Sequence, residues 1–317
     1  MKIDSTSAEF VERVNCINCG STELKELSKG FFRDKPLSTF IEQDPWEELP
    51  MPYIKDNHWI YVKCQKCQQT FHQRILSPKW LDKCYSDWVS EKAIQEFINI
   101  RNLNSPEKKF EKGRNHVLHI LRLESLTRKL RVNTPLRILD FGCGYGDFLA
   151  TCSCFGFDGY GIDFSPARRS NSRFSILPNL EDLKSLDESK QKFHVITLFE
   201  VLEHLAAPLE ILESLSNFIV DEGILVLETP DCTNITDIKT ANDYRKINPL
   251  SHINGFTSNT LISIAQRAGF DRIDRGAAHA ISNSKTKIIK TEIKGLVENI
   301  FKPTTQHYFR KRSRKSI

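Results

Sequence analysis

The sequence has no run of about 18 consecutive apolar residues, which is the length that a membrane-spanning helix requires. Its start, MKIDSTSAEFVERVN, also lacks the apolar core of a secretory signal. Neither feature of a membrane-inserted or exported chain is therefore present. We expect a cytoplasmic protein without a transmembrane segment.

The sequence also lacks an even number of cysteines: it has nine, which argues against a closed disulfide framework. Four of them form two CxxC pairs, Cys16 with Cys19 and Cys64 with Cys67. In a reducing compartment such pairs are typical of metal thiolates, and tetrahedral Zn²⁺ takes four ligands. The alternative is buried small side chains or a redox pair. We predict that the four cysteines hold one structural Zn²⁺ in a zinc ribbon.

No internal repeat divides the chain, but its composition changes along its length. We predict a zinc-ribbon segment over 1–76, a helical connector or lid over 77–134, an α/β domain over 135–280 and a basic extension over 281–317. The extension carries ten Lys or Arg against two Glu, within a total charge of +5. It is either a solvated, frayed terminus or a segment that contacts phosphates or an anionic surface.

Strand-like and helix-like periods alternate in the α/β domain. Apolar strand patterns occur in LRILDFG, FDGYGIDF, FHVITLF and GILVLET, and helical patterns lie between them and after the last. This alternation predicts a doubly wound, mostly parallel sheet with helices on both faces. In such sheets ligands bind at the carboxyl ends of the strands.

A glycine-rich turn, DFGCGYGDF, follows the first of these strands. Gly142, Gly144 and Gly146 alternate behind Asp140, and Asp147 occupies the place where a dinucleotide-binding turn has its third glycine. Carboxylates at this turn suit a ligand that carries positive charge. We therefore predict S-adenosylmethionine, whose ammonium and sulfonium groups tolerate a nearby acid.

The next strand ends in an acid followed by an aromatic residue. Asp163 can accept hydrogen bonds from both ribose hydroxyls of the cofactor, and Phe164 can pack on its adenine. Phe199, like Asp140, lies at a strand end and so at the predicted ligand edge of the sheet. These residues complete the set expected to bind the cofactor.

These motifs together resemble the class I S-adenosylmethionine-dependent methyltransferases. The resemblance rests on ILDFGCGYGDFL, GIDFSP, FHVITLFEVLEHLAAPLEIL, GILVLETPD and SHINGFTSNTLISIAQRAGF, between residues 135 and 276. It implies a Rossmann-like sheet of seven strands that binds S-adenosylmethionine. The N-terminal cysteines and the CYSDW element are similar to those of the small-molecule branch, best known from sugar C-methyltransferases. The resemblance thus implies a small polar acceptor, such as a sugar or a nucleotide-linked sugar.

Two histidines are the candidates for acceptor chemistry. His204 lies in the loop after the FHVITLF strand, and its imidazole could remove a proton from the acceptor as the methyl group arrives. The alternative for His204 is a loop-capping role. His252 could orient the acceptor, and Glu203 is expected to hold the loop through backbone N–H groups.

Two other functions use the same features. A nicotinamide-dependent oxidoreductase shares the fold, although the glycine spacing and Asp147 argue against it. A zinc-ribbon protein that binds nucleic acid with a degenerate enzyme core would use the basic extension, but no dense aromatic and basic stripe is present. We therefore expect a small-molecule acceptor rather than a nucleic acid partner.

Overall fold

The structure is a computed structural model that describes residues 7–130, 135–187, 191–276, 278 and 305–313. Its strands are β1 (Phe10–Glu12), β2 (Leu24–Phe31), β3 (His58–Cys64), β4 (Thr70–His72), β5 (Arg74–Leu76), β6 (Arg137–Phe141), β7 (Asp158–Ile162), β8 (Ile176–Leu177), β9 (Phe193–Phe199), β10 (Ile219–Glu228), β11 (Asn254–Gly255), β12 (Phe270–Ile273) and β13 (Gln306–Lys311). Its α-helices are α1 (Leu37–Gln43), α2 (Met51–Ile54), α3 (Pro78–Lys83), α4 (Glu91–Ile100), α5 (Pro106–Thr127), α6 (Asp147–Cys154), α7 (Pro166–Ser170), α8 (Pro208–Ser216), α9 (Ala241–Lys246) and α10 (Ser258–Arg267).

The central sheet has seven strands in the order β12-β13-β10-β9-β6-β7-β8. The five strands β8, β7, β6, β9 and β10 are parallel. β13 runs antiparallel to both of its neighbours, β10 and β12. The strand order reverses between β6 and β9, which marks the edge where such sheets bind ligands. The predicted α/β fold with a mostly parallel, seven-stranded sheet is confirmed.

Both faces of this sheet are covered, because neighbouring residues of a strand point to opposite sides. On β10, Leu225 and Leu227 face a core shared with α8 and α10, whereas Ile224 and Val226 face a core shared with α5 and α6. This double burial explains the nearly continuous apolar runs in the sequence. Helices therefore lie on both faces, as predicted.

The basic extension differs from its predicted form, because part of it belongs to the central sheet. Residues 306–311 form β13, which pairs with β10 and β12, and Tyr308 and Phe309 are buried there. Arg312 forms an ion pair with Asp271 at 2.8 Å. The described part of this extension is therefore neither a frayed end nor a free basic surface. Residues 281–304 and 314–317 lie outside the described residues.

The N-terminal segment forms a second sheet, in the order β11-β4-β3-β2. Its strand β11 comes from the far end of the α/β domain, where Asn254 pairs with Phe71 and Gly255 with Thr70. Aromatic residues of the N-terminal half share one hydrophobic core with residues 232–250. Strand pairing and packing therefore both continue across the predicted division at residue 76.

The predicted helical stretch after residue 77 consists of α3, a π-helical turn over Cys84–Trp88, α4 and α5. α3 begins at Pro78 after Ser77, as that dipeptide indicates. α5 packs on the central sheet through Ile120 and Leu123. None of the helices in the described ranges is long and apolar enough to cross a membrane.

Candidate functional site

The turn between β6 and α6 holds three glycines in a backbone conformation that other residues avoid. Gly142, Gly144 and Gly146 have φ angles of 80°, 58° and 83°, in the left-handed region. A Cβ atom on Gly142 would collide with Val201, and one on Gly146 would lie 2.8 Å from the ring of Phe174. No heavy atom would lie within 4 Å of a Cβ on Gly144. The turn therefore exposes bare backbone to open space at Gly144, which suits a closely bound ligand.

Asp163 closes this turn from the end of β7. One carboxylate oxygen accepts the Gly144 backbone N–H at 2.8 Å, and the other accepts the Ser165 N–H at 2.9 Å. An ionised carboxylate offers about four acceptor positions, so it can accept further hydrogen bonds. Beside it, Phe164 is 52% exposed and its ring meets the ring of Phe141 edge-on at 5.7 Å. This arrangement is compatible with the predicted ribose and adenine contacts, which stay predictions.

Asp140 and Phe199 lie deeper than the open edge of the turn. Asp140 is buried and accepts a hydrogen bond from the Thr197 hydroxyl at 2.7 Å. Burial, together with the negative charge of Asp163, raises the pKa of Asp140 to about 7. The Phe199 ring packs between the lid helix α5 and α6, 4.7 Å from His119 and 5.2 Å from Phe148. The Asp140 carboxylate and the Phe199 ring therefore make these contacts inside the protein.

The two CxxC pairs come together as a four-sulfur cluster. Their sulfurs lie within 4.8 Å of one another, with 3.5 Å between Cys16 and Cys67 and between Cys19 and Cys64. Four thiolates bound at about 2.3 Å to one tetrahedral Zn²⁺ lie roughly 3.8 Å apart. The cluster is compatible with zinc.

The second cysteine turn adopts the shape of the first although it has no glycine. Gly20 and Gln68 take left-handed φ angles of 71° and 66°. Each donates its backbone N–H to the first cysteine of its pair, Gly20 to Cys16 and Gln68 to Cys64. Gln68 therefore adopts the left-handed backbone conformation that Gly20 has in the first turn, although it is not a glycine.

The two candidate catalytic histidines are in contact. The rings of His204 and His252 meet edge-on with 4.6 Å between centroids. The Ser251 carbonyl lies 3.0 Å from Nδ1 of His204, so we assign the proton to Nδ1, which leaves the lone pair of Nε2 free. Burial lowers the pKa of His204 to about 3 and that of His252 to about 4. Both imidazoles are therefore neutral at neutral pH.

Glu203 differs from the expectation that it holds the loop through backbone N–H groups. It is 1% exposed, and neither carboxylate oxygen has a hydrogen-bond partner among the described residues. Burial raises its pKa well above the usual range. Side-chain donor atoms of Glu203, His204 and His252 lie within 4.8 Å of one another. The sequence predicts both histidines at the acceptor, but nothing in it indicates that the enclosed Glu203 carboxylate lies beside their rings.

The N-terminal sheet supports the loop that carries His204. Asn254 of β11 donates its side-chain N–H groups to the carbonyls of Leu202 and Leu205, at 2.9 and 2.7 Å. Arg13 donates to the Asn254 side-chain oxygen at 2.8 Å and to the Ile253 carbonyl at 2.9 Å. The N-terminal segment and the loop are therefore joined through β11.

The helical connector reaches both parts of the site. From the π-helical turn, the Tyr85 hydroxyl lies 3.4 Å from Nδ1 of His204. From the glycine-rich turn, Tyr145 donates its hydroxyl to Glu91 of α4 at 2.8 Å. Lys112 of α5 pairs with Asp147 at 2.6 Å, so the acid that breaks the dinucleotide pattern binds the lid helix. Tyr85 belongs to the CYSDW element that the resemblance singled out, whereas Glu91 had no signal in the sequence beyond its helical setting.

Comparison with known proteins assigns this fold and turn to a family. Residues 110–274, more than half of the chain, match the family described as "Methyltransferase domain". The chain belongs to this methyltransferase family. The prediction of a methyltransferase enzyme is thereby confirmed, and the alternative of a nicotinamide-dependent oxidoreductase is not supported. Membership also supports S-adenosylmethionine as the cofactor.

Two curated relatives of this chain are both named ubiquinone biosynthesis O-methyltransferase. This chain is 29% identical over 126 residues to the ubiquinone biosynthesis O-methyltransferase of Glaesserella parasuis, a match that covers 36% of this chain and 53% of that protein. It is 25% identical over 209 residues to the enzyme of the same name from Rickettsia prowazekii, covering 57% and 81%. The match to the first relative thus spans about half of its length.

Solved structures give a more distant likeness. The plantazolicin methyltransferase BpumL in complex with a pentazolic desmethylPZN analog and SAH is 18% identical, with a TM-score of 0.47. That match covers 74% of this chain and 95% of the other. A methyltransferase from Archaeoglobus fulgidus is 21% identical with a TM-score of 0.37, covering 62% and 94%.

Proposed function

We propose that the protein transfers a methyl group from S-adenosylmethionine to a hydroxyl oxygen of a small polar metabolite. The observation that carries this proposal is the open glycine-rich turn closed by Asp163 at the switch point of the sheet. When bound there, the sulfonium of the cofactor supplies an electrophilic methyl group. The protein's task is then to align donor and acceptor, which can supply much of the rate of an in-line transfer.

On the cofactor side, the backbone of Gly142, Gly144 and Gly146 binds the methionine part. Asp163 accepts the ribose hydroxyls, and Phe164 covers the adenine. The exposed ring of Phe164 supports this role, because a large apolar side chain left at the surface beside a carboxylate has room for a flat ligand. The predicted cofactor residues Asp140 and Phe199 support the site indirectly, because their side chains hold the ends of β6 and β9 in place.

On the acceptor side, the zinc-ribbon segment and the helices up to about residue 134 cover the sheet edge and shape the pocket. Their contacts with the loop of His204 support this, through Arg13, Asn254 and Tyr85. His204 acts as the general base through its free Nε2, and His252 orients the acceptor. The four cysteines hold one structural Zn²⁺, which keeps this segment folded.

The acceptor class follows from two sources. The resemblance to sugar C-methyltransferases favours a sugar or a nucleotide-linked sugar, whereas the relatives named ubiquinone biosynthesis O-methyltransferase favour O-methylation. We therefore propose a hydroxyl group on a small, polar metabolite. A panel that contains nucleotide-linked sugars and simple catechols, each incubated with labelled cofactor, separates the sugar from the aromatic acceptor.

Calorimetric titration tests the cofactor directly. S-adenosylmethionine should bind the wild-type protein, and NAD should give no heat. Asp163→Ala should weaken binding by roughly 1.5–3 kcal/mol for each lost charge-assisted hydrogen bond. Asp158→Ala is the matched control, because Asp158 is an exposed acid at the opposite end of the same strand. Equal binding by Asp163→Ala and wild type would contradict the ribose assignment.

A further inference from the structure

We propose that Arg13 is a positioning residue that links the four-cysteine zinc site to the placement of His204 and His252. Arg13 lies three positions before Cys16, and its guanidinium donates hydrogen bonds to the backbone close to both histidines. The proposal deepens the proposed function, on which it rests for the bound Zn²⁺ and for the roles of the two histidines. It adds a residue through which the metal acts on the acceptor side.

The guanidinium of Arg13 makes five hydrogen bonds, and a guanidinium has five N–H donors in a fixed fork. Nε and Nη2 both donate to the His72 carbonyl of β4, and Nη2 also donates to the Ile253 carbonyl at 2.9 Å. Nη1 donates to the Asn254 side chain at 2.8 Å and to the Ala206 carbonyl at 3.4 Å. The fork therefore joins β4, β11 and the loop after β9.

These contacts fall on the backbone that carries the two histidines. Ile253 directly follows His252, so the hydrogen bond to its carbonyl holds the chain beside that histidine. Asn254 donates in turn to backbone carbonyls before and after His204. Because the two rings meet with only 4.6 Å between centroids, a shift of either segment changes their contact. Arg13 thus helps to set the distance between the two histidines.

The positive charge of Arg13 is balanced by no carboxylate. All five hydrogen bonds go to neutral oxygens, and no acid in the described ranges forms an ion pair with it. Burial lowers the pKa of Arg13 to about 9, so the group stays protonated at neutral pH, and negative charge on Cys16 acts in the opposite direction. A cation withdrawn from water is costly unless an opposite charge lies nearby. The cysteine cluster can supply that charge.

The zinc site needs a cation for the converse reason. Four thiolates outweigh the charge of one Zn²⁺ by two units. Cys16 and Cys64 are buried, so water screens this excess negative charge poorly. The Arg13 guanidinium lies over the ring of Phe71, 5.0 Å from its centroid, and Phe71 packs in one cluster with Cys16 and Cys64. The guanidinium is therefore stacked on a side chain that lines the metal site.

Arg13 has two separable roles. Its charge stabilises the bound metal, and its fork holds the backbone near the histidines. A lysine retains the charge but is a point charge without the rigid fork. Arg13→Lys therefore keeps the first role and loses the second, whereas Arg13→Met loses both.

The first measurement is the zinc affinity of the full-length protein, by competition with a chromogenic chelator. Arg13→Met should weaken zinc binding by roughly 10–100-fold, the usual cost of losing a partner outside the ligand set, and Arg13→Lys should restore most of that loss. Arg33→Met is the matched control, because Arg33 also lies over a phenylalanine of the N-terminal segment but pairs with the exposed Asp56. The control should bind zinc as the wild type does.

Amide hydrogen exchange measures the loop in the same zinc-loaded proteins. The backbone N–H groups of His204 and Leu205 donate to carbonyls of the same loop, so slow exchange there reports an ordered loop. Arg13→Met and Arg13→Lys should both raise this exchange by roughly tenfold or more, because neither keeps the fork. The affinity for S-adenosylmethionine should stay as in the wild type. Restored zinc binding without restored protection is the signature that a general loss of stability does not give.

Equal zinc affinity of Arg13→Met and wild type would overturn the link, as would an equal loss in Arg13→Met and Arg13→Lys. Unchanged loop exchange in both variants would overturn the positioning role. If Arg13→Met does not fold, Asn254→Ala breaks the same path on the loop side: loop exchange should rise while zinc affinity is retained, and unchanged exchange would equally overturn the proposal. A wild type that binds no zinc would refute the metal assignment and the link together. Absence of methyl transfer with these effects intact would count against the proposed function alone.

Discussion

The cofactor side and the acceptor side of this methyltransferase are built in different ways. The cofactor side comes from consecutive elements: Asp163 accepts the N–H of Gly144, only 19 positions earlier. The acceptor side comes from distant ones: Arg13 bonds Asn254 across 241 positions, and His72 lies 2.8 Å from the Ile247 carbonyl across 175. A local turn can be recognised in the sequence, whereas a site assembled from both ends of the chain cannot.

The two sides also rely on different cores. The cofactor side sits on the central sheet, whose core joins β6, β9 and β10 to α8 and α10. The acceptor side also rests on the N-terminal core, where Trp80 and Trp88 pack with residues from 232 to 250, while Val201 and Leu202 beside His204 belong to the core of the central sheet. This second core lies next to the four-cysteine cluster rather than on the large sheet. It should therefore depend on metal in a way that the cofactor side does not.

Zinc removal should have the largest effect on stability, and it should destabilise the N-terminal sheet without destabilising the cofactor side. Binding of a structural zinc contributes about 10–16 kcal/mol in small zinc-dependent units. Cys64→Ser should therefore loosen the N-terminal sheet together with residues 230–256, because β11 pairs in that sheet. Amide hydrogen exchange should rise in both regions and stay slow over 137–163. Cys154→Ser, at an exposed cysteine outside the cluster, is the control.

Uniform protection after zinc loss would contradict this division, as would exchange that rises equally in both sides. Faster amide exchange of residues 230–256 is the result that tests the division most directly. They are far from the cysteines in sequence, and the pairing of Asn254 and Gly255 with β4 brings them to the N-terminal sheet.

The parts that the sequence predicted are those encoded by neighbouring residues. The apolar runs predicted the strands, and the three alternating glycines predicted a turn that the structure shows with left-handed backbone at each. The two CxxC pairs predicted a four-sulfur cluster. In each case the signal and the structure it specifies lie within one short stretch, or within two stretches of the same type.

The parts that the sequence did not predict depend on distant contacts. The strand in the basic extension was missed because FRKRSRKSI is highly charged, and Tyr308 and Phe309 are buried by strands and helices that are distant in sequence. Glu203 was assigned a backbone role because nothing in EVLEHL indicates that its carboxylate is enclosed without a partner. Burial of a single polar group is a property of the whole fold.

His204→Ala should have the next largest effect and should act on the acceptor side alone. General-base assistance is typically worth about 10²–10⁴-fold in rate. Turnover should fall on that scale while the affinity for S-adenosylmethionine stays nearly unchanged. His58→Ala, at an exposed histidine of the N-terminal sheet, should retain turnover. Turnover of His204→Ala within a few-fold of wild type would exclude the general-base role.

Asp140→Asn should change how stability varies with pH on the cofactor side. The pKa of Asp140 is raised from 3.8 to about 7 in the folded protein, mainly by burial. The folded state therefore holds this proton more tightly than the unfolded state, so wild-type stability falls as pH rises from about 4 to 7. The full shift corresponds to roughly 4 kcal/mol at most. The asparagine variant, which can still accept the Thr197 hydroxyl, should not show this fall.

Urea unfolding at a series of pH values measures the difference between the two proteins. Relative to wild type, Asp140→Asn should gain stability between pH 4 and 7 and show no further change above that range. Parallel curves would mean that Asp140 has the same pKa in the folded and unfolded protein and is ionised above about pH 4. Its carboxylate would then be better placed to face the cofactor than to sit behind the sheet edge.

The smallest effect is expected from paired alanine substitutions in the glycine-rich turn. Left-handed backbone costs a residue with a Cβ about 1–2 kcal/mol, so Gly144→Ala and Gly142→Ala should share that loss of stability. Only Gly142→Ala adds a collision, with Val201, and overpacking costs typically about 1–3 kcal/mol more. Gly144→Ala instead fills the open space beside the turn. In thermal unfolding, Gly142→Ala should therefore be the less stable of the two variants. In calorimetric titration, Gly144→Ala should show the larger loss of cofactor affinity relative to its loss of stability. Wild-type affinity in Gly144→Ala would mean that the cofactor does not approach this backbone, and the cofactor side would have to be placed elsewhere on the sheet edge.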